Sequence, residues 1–374
     1  MIAIQNSQNI YIKGSKSSPI RTGYEQVVSS RASDTFASTA KQDGVVTSVT
    51  KDGMTVRFTD GSERSYALGR VFGKAAGVVH PHTLKTIYSE GSKIKAGHTI
   101  CYDEHFFEPN RLMPGMVDLK MTTMATVVMI DDYTTLEDGS CITPGLAELM
   151  ETSVAEIKTV TVDFDQHVTN LVGLNDHLDL DTVLCNIIDP ETEDMDYFDP
   201  ETQALLKRVS AKAPKAKTVG DLERIEVYYH GRFEDISPKL QETIRQIERY
   251  NRKVALAQGK PFYGGSVDSS FRIKGEALEQ NSVAFEFYIT HDVSMGAGDK
   301  LVFGNQLKST VTEVMPQDCH AEDGTPVDAK FGNESVEARI VDSFKTVGMA
   351  TMLIEKTSLR IADIYFNNAK PIFS

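Results

Sequence analysis

Short β-rich segments separated by glycine turns are the feature of this sequence that most restricts its fold. Gly44–Val49 and Met54–Phe58 are rich in β-branched residues, and Asp52-Gly53 between them is a hairpin turn signal. Similar segments continue to about residue 165, and β alternation returns from Val283 to Ile289. Because these strands follow one another with few helical patterns between them, the sequence favours a β-rich barrel or sandwich over a wound parallel sheet.

Three segments have helical patterns. The clearest lies near 238–258, where Ser237 is a candidate N-cap, Pro238 suits the first helical position and Gly259 supplies a left-handed stop. Its apolar residues recur at helical spacing, with Asn251 interrupting them: Leu240, Ile244, Ile247 and Val254. A short helix is predicted at 144–150, and another in the last thirty residues.

Composition restricts the class of protein. The 374 residues are 40% hydrophobic and 25% charged, which is typical of globular domains. No run of about 18 apolar residues exists, and the first residues lack the basic and apolar regions of a secretory signal, so neither a membrane partner nor export is expected. The four scattered cysteines indicate a reducing compartment. The net charge of −14 argues against nucleic-acid binding by the chain alone, since phosphate contacts need clustered Lys and Arg.

Two charged runs lie next to each other in the middle of the chain. Residues 189–201 are acidic, and a basic run follows them: Lys207, Arg208, Lys212, Lys215 and Lys217. Short charge runs are common on surfaces, so solvated loops are the favoured interpretation. A phosphate or partner contact by the basic run is the alternative.

The common enzyme signatures are absent from the sequence, which has no GxxxxGK, GxGxxG, HExxH or GxSxG pattern. One group of potential zinc ligands lies close together: His80, His82, His98, Cys101 and His105. Its spacing matches no standard ligand pattern, so no metal site is predicted there. Asp163-Phe164-Asp165-Gln166 is superficially similar to a metal-binding D-F-D-G-D motif but lacks its glycine and third aspartate, so the end of a strand is the favoured interpretation.

Three short segments carry residue types suited to phosphate chemistry. Gly298-Asp299-Lys300 is followed by Gly304-Asn305-Gln306-Leu307-Lys308, and a lysine after a tight glycine turn can project a fixed positive charge. Gly324-Thr325-Pro326-Val327-Asp328 is a turn leading into a strand, with Arg339 eleven positions later. Glu137-Asp138 is an acidic pair that follows Asp131-Asp132-Tyr133 and a predicted strand. Each segment alone is a weak signal.

Their order resembles that of the β subunits of bacterial-type multisubunit DNA-dependent RNA polymerases. In that family G-D-K-x-x-x-R-H-G-N-K-G leads into G-T-P-V-D and then P-S-R, with N-F-E-D-S upstream. Gly298–Lys300, Gly304-Asn305, Gly324–Asp328, Arg339 and Glu137-Asp138 are similar to these motifs in the same order. Further upstream, 41–46 is similar to A-K-R-G-G-V-V, and 91–100 to the segment containing E-R-G-D-V-L. The resemblance covers about residues 20 to 345.

The resemblance implies a β-rich α+β fold: a double-psi β-barrel and sandwich-barrel hybrid core with an inserted flap that contains a helix. The corresponding divisions are an extended segment at 1–40, the first part of the barrel and hybrid-binding region at 41–160, a flap-like insertion at 161–285 with the helix 238–258, and the second part of the barrel with a C-terminal helix at 286–374. The family's amino-terminal half and clamp are missing, as in the split polymerases of some large-genome bacteriophages.

The resemblance also implies roles for individual residues. Lys300 would contact the RNA 3′ end or a nucleotide phosphate, Arg339 would neutralise triphosphate charge, and Glu137 and Asp138 would lie in the outer shell of a Mg²⁺ ion. That metal would be held by a β′-like partner with a D-F-D-G-D motif. The family's second lysine falls on Gln306, with Lys308 nearby and Asn305 before it, so these three are the expected substrate and nucleic-acid contacts. The family's arginine-histidine pair is absent.

The expected partners are therefore a β′-like subunit, other β-like chains, template DNA, the RNA transcript and nucleoside triphosphates. The expected location is the cytoplasm of an infected host cell or the virion. A second hypothesis is a non-catalytic protein that keeps a polymerase-like barrel for a structural or virion-assembly role. The missing second lysine and the acidic net charge favour that alternative.

Overall fold

The computed structural model describes residues 2–6, 11–75, 77–120, 122–189, 212–304, 306–339 and 341–367. Most of the acidic run 189–201, the first residues of the basic run 207–217, and Asn305 lie outside these ranges. The strands of the described residues, in chain order, are β1 Ile2–Asn6, β2 Ala37–Thr39, β3 Gly44–Val49, β4 Gly53–Phe58, β5 Glu63–Ala67, β6 Gly69–Ala75, β7 Val78–Lys85, β8 Lys93–Ile94, β9 Thr99–Asp103, β10 Phe107–Pro109, β11 Val117–Leu119, β12 Thr123–Ala125, β13 Val127–Met129, β14 Gly139–Ile142, β15 Thr152–Asp163, β16 His167–Thr169, β17 His177–Leu178, β18 Asn186–Ile188, β19 Gly220–His230, β20 Gly265–Ser266, β21 Arg272–Ile273, β22 Glu276–Ala277, β23 Ser282–Val293, β24 Lys300–Phe303, β25 Leu307–Val314, β26 Cys319–His320, β27 Pro326–Val327 and β28 Ala329–Phe331.

The helices of the described residues are α1 Pro144–Leu149, α2 Pro238–Gln258, α3 Asn333–Ala338 and α4 Asp342–Asn367, with 3₁₀ turns at Tyr24–Gln26, Val28–Ser30 and Phe233–Asp235. The β-rich character predicted from the sequence is confirmed, and the strands form several largely antiparallel sheets. No closed barrel is formed by the hydrogen-bonded strands of the described residues. The double-psi arrangement therefore stays a prediction.

A seven-stranded mixed sheet has the order β12-β1-β24-β25-β14-β28-β13. Strands β13 and β28, and β14 and β25, pair in parallel, and the other neighbours are antiparallel. Its inner face contributes to a core in which the rings of Phe303 and Phe331 lie 4.6 Å apart, covered by Leu146 of α1 and Phe344 of α4. Burial of these large apolar side chains is the main force holding the sheet to its helices.

The two edge strands of this sheet are consecutive in the chain, because only Thr126 separates β12 from β13. Asp328 fixes this junction. Its carboxylate accepts a hydrogen bond from the Thr126 N–H at 2.7 Å, and its own N–H donates to the Thr126 carbonyl at 2.9 Å. The chain thus bends at Thr126 and sends its two halves to opposite ends of the strand order.

A nine-stranded sheet is built on the pairing of β15 with β23. The two strands run antiparallel over twelve residues each, from Thr152 opposite Val293 to Asp163 opposite Ser282. Everything from 164 to 281, including α2, is therefore inserted between two paired strands. Leu240 and Ile244 of α2 pack with the aromatic residues of β23 in one core.

The bounds of α2 agree with the sequence prediction. Pro238 is its first residue, and Gly259 ends it with a left-handed φ of 62°. The predicted capping role of Ser237 is wrong, because its hydroxyl donates to the Gln166 carbonyl at 2.7 Å and makes no cap hydrogen bond. Asn251 is buried, and its side-chain amide donates to the Ile225 carbonyl at 2.8 Å.

The predicted hairpin of β3 and β4 belongs to a four-stranded sheet of order β5-β4-β3-β8. The C-terminal end of α2 lies directly against it. A Cβ placed on Gly53 would lie 1.9 Å from the Ala257 carbonyl oxygen, so only glycine allows this approach. The segment before residue 41, where sequence periodicity is weak, supplies β1 to the seven-stranded sheet and β2 to the nine-stranded one.

Helix α4 is confirmed as the predicted C-terminal helix and has an unusual surface. Phe344 and Thr351 are buried, but the helix exposes many large apolar side chains: Met349, Leu353, Leu359, Ile361, Tyr365 and Phe366. None of the helices in the described ranges has the length and apolar content needed to span a membrane.

Candidate functional site

The structure brings Asp138 and Arg339 into contact across 201 positions of sequence, and their side chains form an ion pair. Arg339 directly follows α3, and Asp138 ends the loop between β13 and β14. About half of each side chain is exposed, so the pair itself adds little to stability. Its importance is geometric, since Asp138 fixes the direction in which the guanidinium points.

The loop from 130 to 138 holds α3 at three points. The Asp131 carboxylate accepts the Glu334 N–H at 3.0 Å, and the Glu137 carbonyl accepts the Ser335 hydroxyl. The third point is the ion pair with Arg339. The position of Arg339 is therefore set by the same acidic loop that the sequence singled out.

Glu137 has an exposed side chain and a strained backbone conformation. Its φ is 52°, which an L-residue adopts at a cost of about 1 kcal/mol. Backbone outliers of this kind cluster at functional sites, and the strain at Glu137 is held in place by the contact of its carbonyl with Ser335. The Glu137 carboxylate has no hydrogen-bond or ion-pair partner among the described residues, so it is available to contact a ligand or a partner chain.

Lys300 is the first residue of β24, directly opposite Thr310 of β25. Thr310 in turn lies opposite Gly139 of β14, and its N–H donates to the Asp138 carbonyl at 2.9 Å. Lys300 and Gly139 are thus two strand positions apart, about 10 Å. Lys300 therefore lies at the same end of the sheet as Asp138.

Lys308 lies on the same face as Lys300, because it is opposite Val302, two residues further along the hairpin. Both lysines are exposed, and neither has a carboxylate partner within the part of the chain that the structure describes. An unpaired cation is a stronger candidate for ligand contact than one that is already neutralised. The two lysines and Arg339 therefore present positive charge around the Asp138 end of this sheet.

Gln306 is at the other end of the β24–β25 hairpin from Lys300. Its side-chain amide donates to the Ser343 hydroxyl at 3.4 Å, which connects it to α4. Phe303 pairs with Leu307, so Gln306 is level with Gly304, four strand steps from Lys300 or about 13–14 Å. The structure therefore does not bring Gln306 together with Lys300, and Asn305 lies outside the described residues.

One pair of charged residues at this face was missed by sequence reasoning. Lys330 of β28 lies 2.8 Å from Asp132. The Lys330 ammonium lowers the pKa of the Asp132 carboxyl, and hydrogen bonds from Thr134 lower it further, while Asp132 raises the pKa of Lys330. The sequence contains both partners, the acidic Asp131-Asp132 and Lys330 two residues beyond the G-T-P-V-D segment. Their pairing could not be predicted, because it depends on strand register.

The histidine-rich segment does not gather into a metal centre. His82 and His105 both lie beside Asp103, whereas His98 contacts the Tyr88 hydroxyl at 3.0 Å. Burial raises the pKa of the Cys101 thiol to about 11, which leaves it a poor metal ligand. Within the described ranges no group of three or more His, Cys, Asp or Glu is arranged to hold a metal ion.

Comparison of the chain with models of known protein families gives no match, and comparison with curated proteins likewise finds no relative.

Proposed function

We propose that this chain is a β-type subunit of a multisubunit DNA-dependent RNA polymerase and that the face carrying Lys300, Lys308, Arg339 and Asp138 borders the nucleotidyl-transfer cleft. The observation that supports the proposal most is the Asp138–Arg339 contact. It joins two of the motifs that carry the family resemblance, which lie 201 positions apart in the chain. The β24–β25 hairpin places the lysine of a third motif on the neighbouring strands.

The double-psi barrel belongs to the same proposal. If β12 and β13 are counted as one bent strand, the seven-stranded sheet is built from six chain segments. The strand order then begins and ends with that same bent strand. The double hydrogen bonding of Asp328 to Thr126 supports a barrel closed at that bend. Asp328 is the last residue of the G-T-P-V-D segment, so the motif has a structural reason for its acidic end.

The proposed chemistry is phosphoryl transfer, in which the protein positions the substrates and stabilises negative charge. Lys300, as a point charge, would contact the RNA 3′ end or a nucleotide phosphate. Arg339 would use the part of its guanidinium not engaged by Asp138 to bind the triphosphate, since arginine forms bidentate contacts with phosphate oxygens. Lys308 would contribute to the same positive face.

This chain's residues suit an outer-shell role toward Mg²⁺. Asp138 is already engaged by Arg339, which leaves only the exposed Glu137 carboxylate free at this loop. Two Mg²⁺ ions held by a β′-like partner would supply charge neutralisation for the attacking and departing oxygens. Glu137 and Asp138 would then orient water molecules and cations bordering that site.

The partner chains are part of the proposal. Helix α4 exposes Leu353, Leu359 and Phe366 to solvent, with more than 60% of each residue accessible. An apolar surface of this extent on a helix is typical of a subunit interface. A positive partner surface would also offset this chain's net charge of −14 where nucleic acid is bound.

The proposal is tested by a tagged pull-down from infected cells followed by a nucleotide-incorporation assay. A chain carrying D-F-D-G-D should co-purify, and the complex should synthesise RNA, whereas the isolated chain should not. Recovery of the chain alone in capsid stoichiometry would support the structural or virion-assembly alternative, which the net charge and the Gln306 position favour.

The role of Lys300 is tested in the reconstituted complex. Lys300→Ala should slow nucleotide addition by about 10²–10³-fold, the usual effect of losing one charge contact to the transition state. Lys51 provides the matched control, because it is exposed and lies between β3 and β4 of the four-stranded sheet. A complex carrying Lys51→Ala should add nucleotides at the native rate. Equal elongation rates for the two variants would rule out the assigned role.

A further inference from the structure

A second candidate site lies away from this face, in a cavity of about 330 Å³ between the β6–β7 hairpin, the segment before β2, and β15. That volume is at the lower end of the range for small-molecule sites, about 300–1,000 Å³. Its walls are largely apolar and aromatic, and include Tyr11, Phe36, Pro81 and Phe106. His82 also lines the cavity and is only 6% exposed.

A buried carboxylate orients the His82 ring. Its Nδ1 lies 2.6 Å from the fully buried Asp103 carboxylate. Because a carboxylate only accepts hydrogen bonds, Nδ1 carries the proton and donates it to Asp103. Asp103 also accepts the N–H of His105 at 3.0 Å, so its charge is met by several donors. The arrangement fixes both the ring position and its tautomer.

The other ring nitrogen of His82 has no hydrogen-bond partner among the described residues. Nδ1 faces Asp103, so Nε2 is on the opposite edge, where it lies against Gly73, another residue that lines the cavity. A Cβ on Gly73 would lie 2.8 Å from Nε2. The missing side chain therefore leaves this nitrogen open. In the neutral ring Nε2 is a hydrogen-bond acceptor, and because His82 lines the cavity this nitrogen is available to a donor on a bound molecule.

The shape of the surroundings restricts what can supply the missing donor. Phe36 packs edge-on against the His82 ring at 5.2 Å, and Phe106 lies 6.2 Å from it. Such walls favour a flat, aromatic molecule, which stacks or packs edge-on with little loss of conformational entropy. The donor must lie in the plane of that molecule to meet Nε2 along its lone pair.

We propose that this cavity binds a planar nitrogen heterocycle whose ring N–H donates to His82 Nε2. The ring would lie between Phe36, Phe106 and Pro81, with its N–H pointing past Gly73. The site is independent of the proposed polymerase role, because its residues belong to the β6–β7 hairpin, to β15 and to neighbouring loops, and none belongs to the seven-stranded sheet.

Indole is a suitable probe because it is planar and apolar and has one ring N–H. The 374 residues contain no tryptophan, so the fluorescence of bound indole is free of a protein indole background. Benzofuran, which has an oxygen in place of the N–H, is the matched control and is measured by displacement of indole. We expect saturable indole binding and a benzofuran affinity about threefold to tenfold weaker, the range for one net hydrogen bond.

Two variants locate the contact. His82→Asn keeps an N–H donor for Asp103 but removes the acceptor at the Nε2 position, so indole and benzofuran should bind with equal affinity. Gly73→Ala places a methyl group in front of Nε2 and should weaken indole binding at least as much as His82→Asn does. The thermal unfolding midpoint of each variant verifies that the chain is folded.

If either variant fails to fold, the ring nitrogen is observed directly in the native chain. Long-range ¹H–¹⁵N spectra should show the His82 Nε2 resonance moving on addition of indole and not on addition of benzofuran. Three outcomes would overturn the proposal: no saturable binding of indole, equal affinities of the two probes for the native chain, or an unshifted Nε2 resonance at saturation.

Discussion

Asp328 combines a backbone and a side-chain role at one position, which explains why an acidic residue ends its motif. Its burial raises the pKa of the carboxyl above the ordinary value of 3.8, although the hydrogen bond from Thr126 opposes this. The sequence showed a turn leading into a strand here. The contact with Thr126 was beyond sequence reasoning, because it joins positions 202 residues apart.

The Asp132–Lys330 pair provides a test of electrostatics at the residue scale. The pKa of Asp132 is lowered in the folded chain, so the stabilisation is present above the ordinary value of 3.8 and is lost as the pH falls below it. Asp132→Asn should therefore lower the free energy of unfolding most at neutral pH. The difference from the native chain should begin to shrink as the pH falls through about 4 and should continue to shrink at lower pH in denaturant titrations.

Asp165→Asn is the matched control for that experiment. It removes an exposed carboxylate that has no ion pair within the described residues. A native-to-Asp132→Asn difference that stayed constant from neutral to acid pH would show that the charge of Asp132 does not contribute through Lys330.

Among the elements, α2 shows what local chemistry determines. Pro238 at the first position, the spacing of Leu240 and Ile244, and the left-handed Gly259 set its bounds, and each is visible in the sequence. The Ser237 hydroxyl does not cap the helix, because the turn after β15 brings the Gln166 carbonyl within 2.7 Å of it. A contact made by another part of the chain replaced the local cap.

The joint between α2 and the β3–β4 hairpin depends on Gly53. Gly53→Ala would place a methyl group 1.9 Å from the Ala257 carbonyl oxygen, which is helix backbone and cannot rotate away. The helix must shift, and we expect the free energy of unfolding to fall by about 1–3 kcal/mol, measured by urea titration.

Gly296→Ala is the comparison for this joint, because no atom lies within 4 Å of the added Cβ. Its effect should stay within about 0.5 kcal/mol. Equal stability of the two variants would mean that α2 does not rest on Gly53 as closely as the structure places it.

Across the whole molecule, sequence reasoning identified the β-rich class but not the strand order. Hydrophobic alternation reveals that a segment is a strand, whereas its neighbours depend on register between distant residues. The candidate site shows the same limit, because sequence order alone does not tell which motif residues come into contact. Collinear motifs grouped Asp138 with Arg339, which are in contact, and also grouped Gln306 with Lys300, which are at opposite ends of a hairpin.

The exposed side of α4 predicts how the isolated chain behaves in solution. Leu353 and Ile361 are each more than 60% exposed, so without a partner the chain should self-associate through this helix as concentration rises. The double substitution Leu353→Glu with Ile361→Glu should return it to a monomer in sedimentation velocity, with little change in thermal stability.

Leu180→Glu serves as the control for self-association, because Leu180 is similarly exposed but lies outside α4. A native chain that stays monomeric at all concentrations, or one whose association is abolished equally by Leu180→Glu, would exclude α4 as the surface responsible.

The position of β1 also has a consequence for how the protein is made. Asn6 pairs with Leu301, so β1 leaves the ribosome long before this neighbour has been translated. Its other neighbour, β12, emerges much earlier, so this pairing can form first and is kept in the folded sheet. The seven-stranded sheet is therefore completed only after β24, β25 and β28 have been translated, and a ribosome that stalls before β24 releases a product in which one edge of β1 is still unpaired.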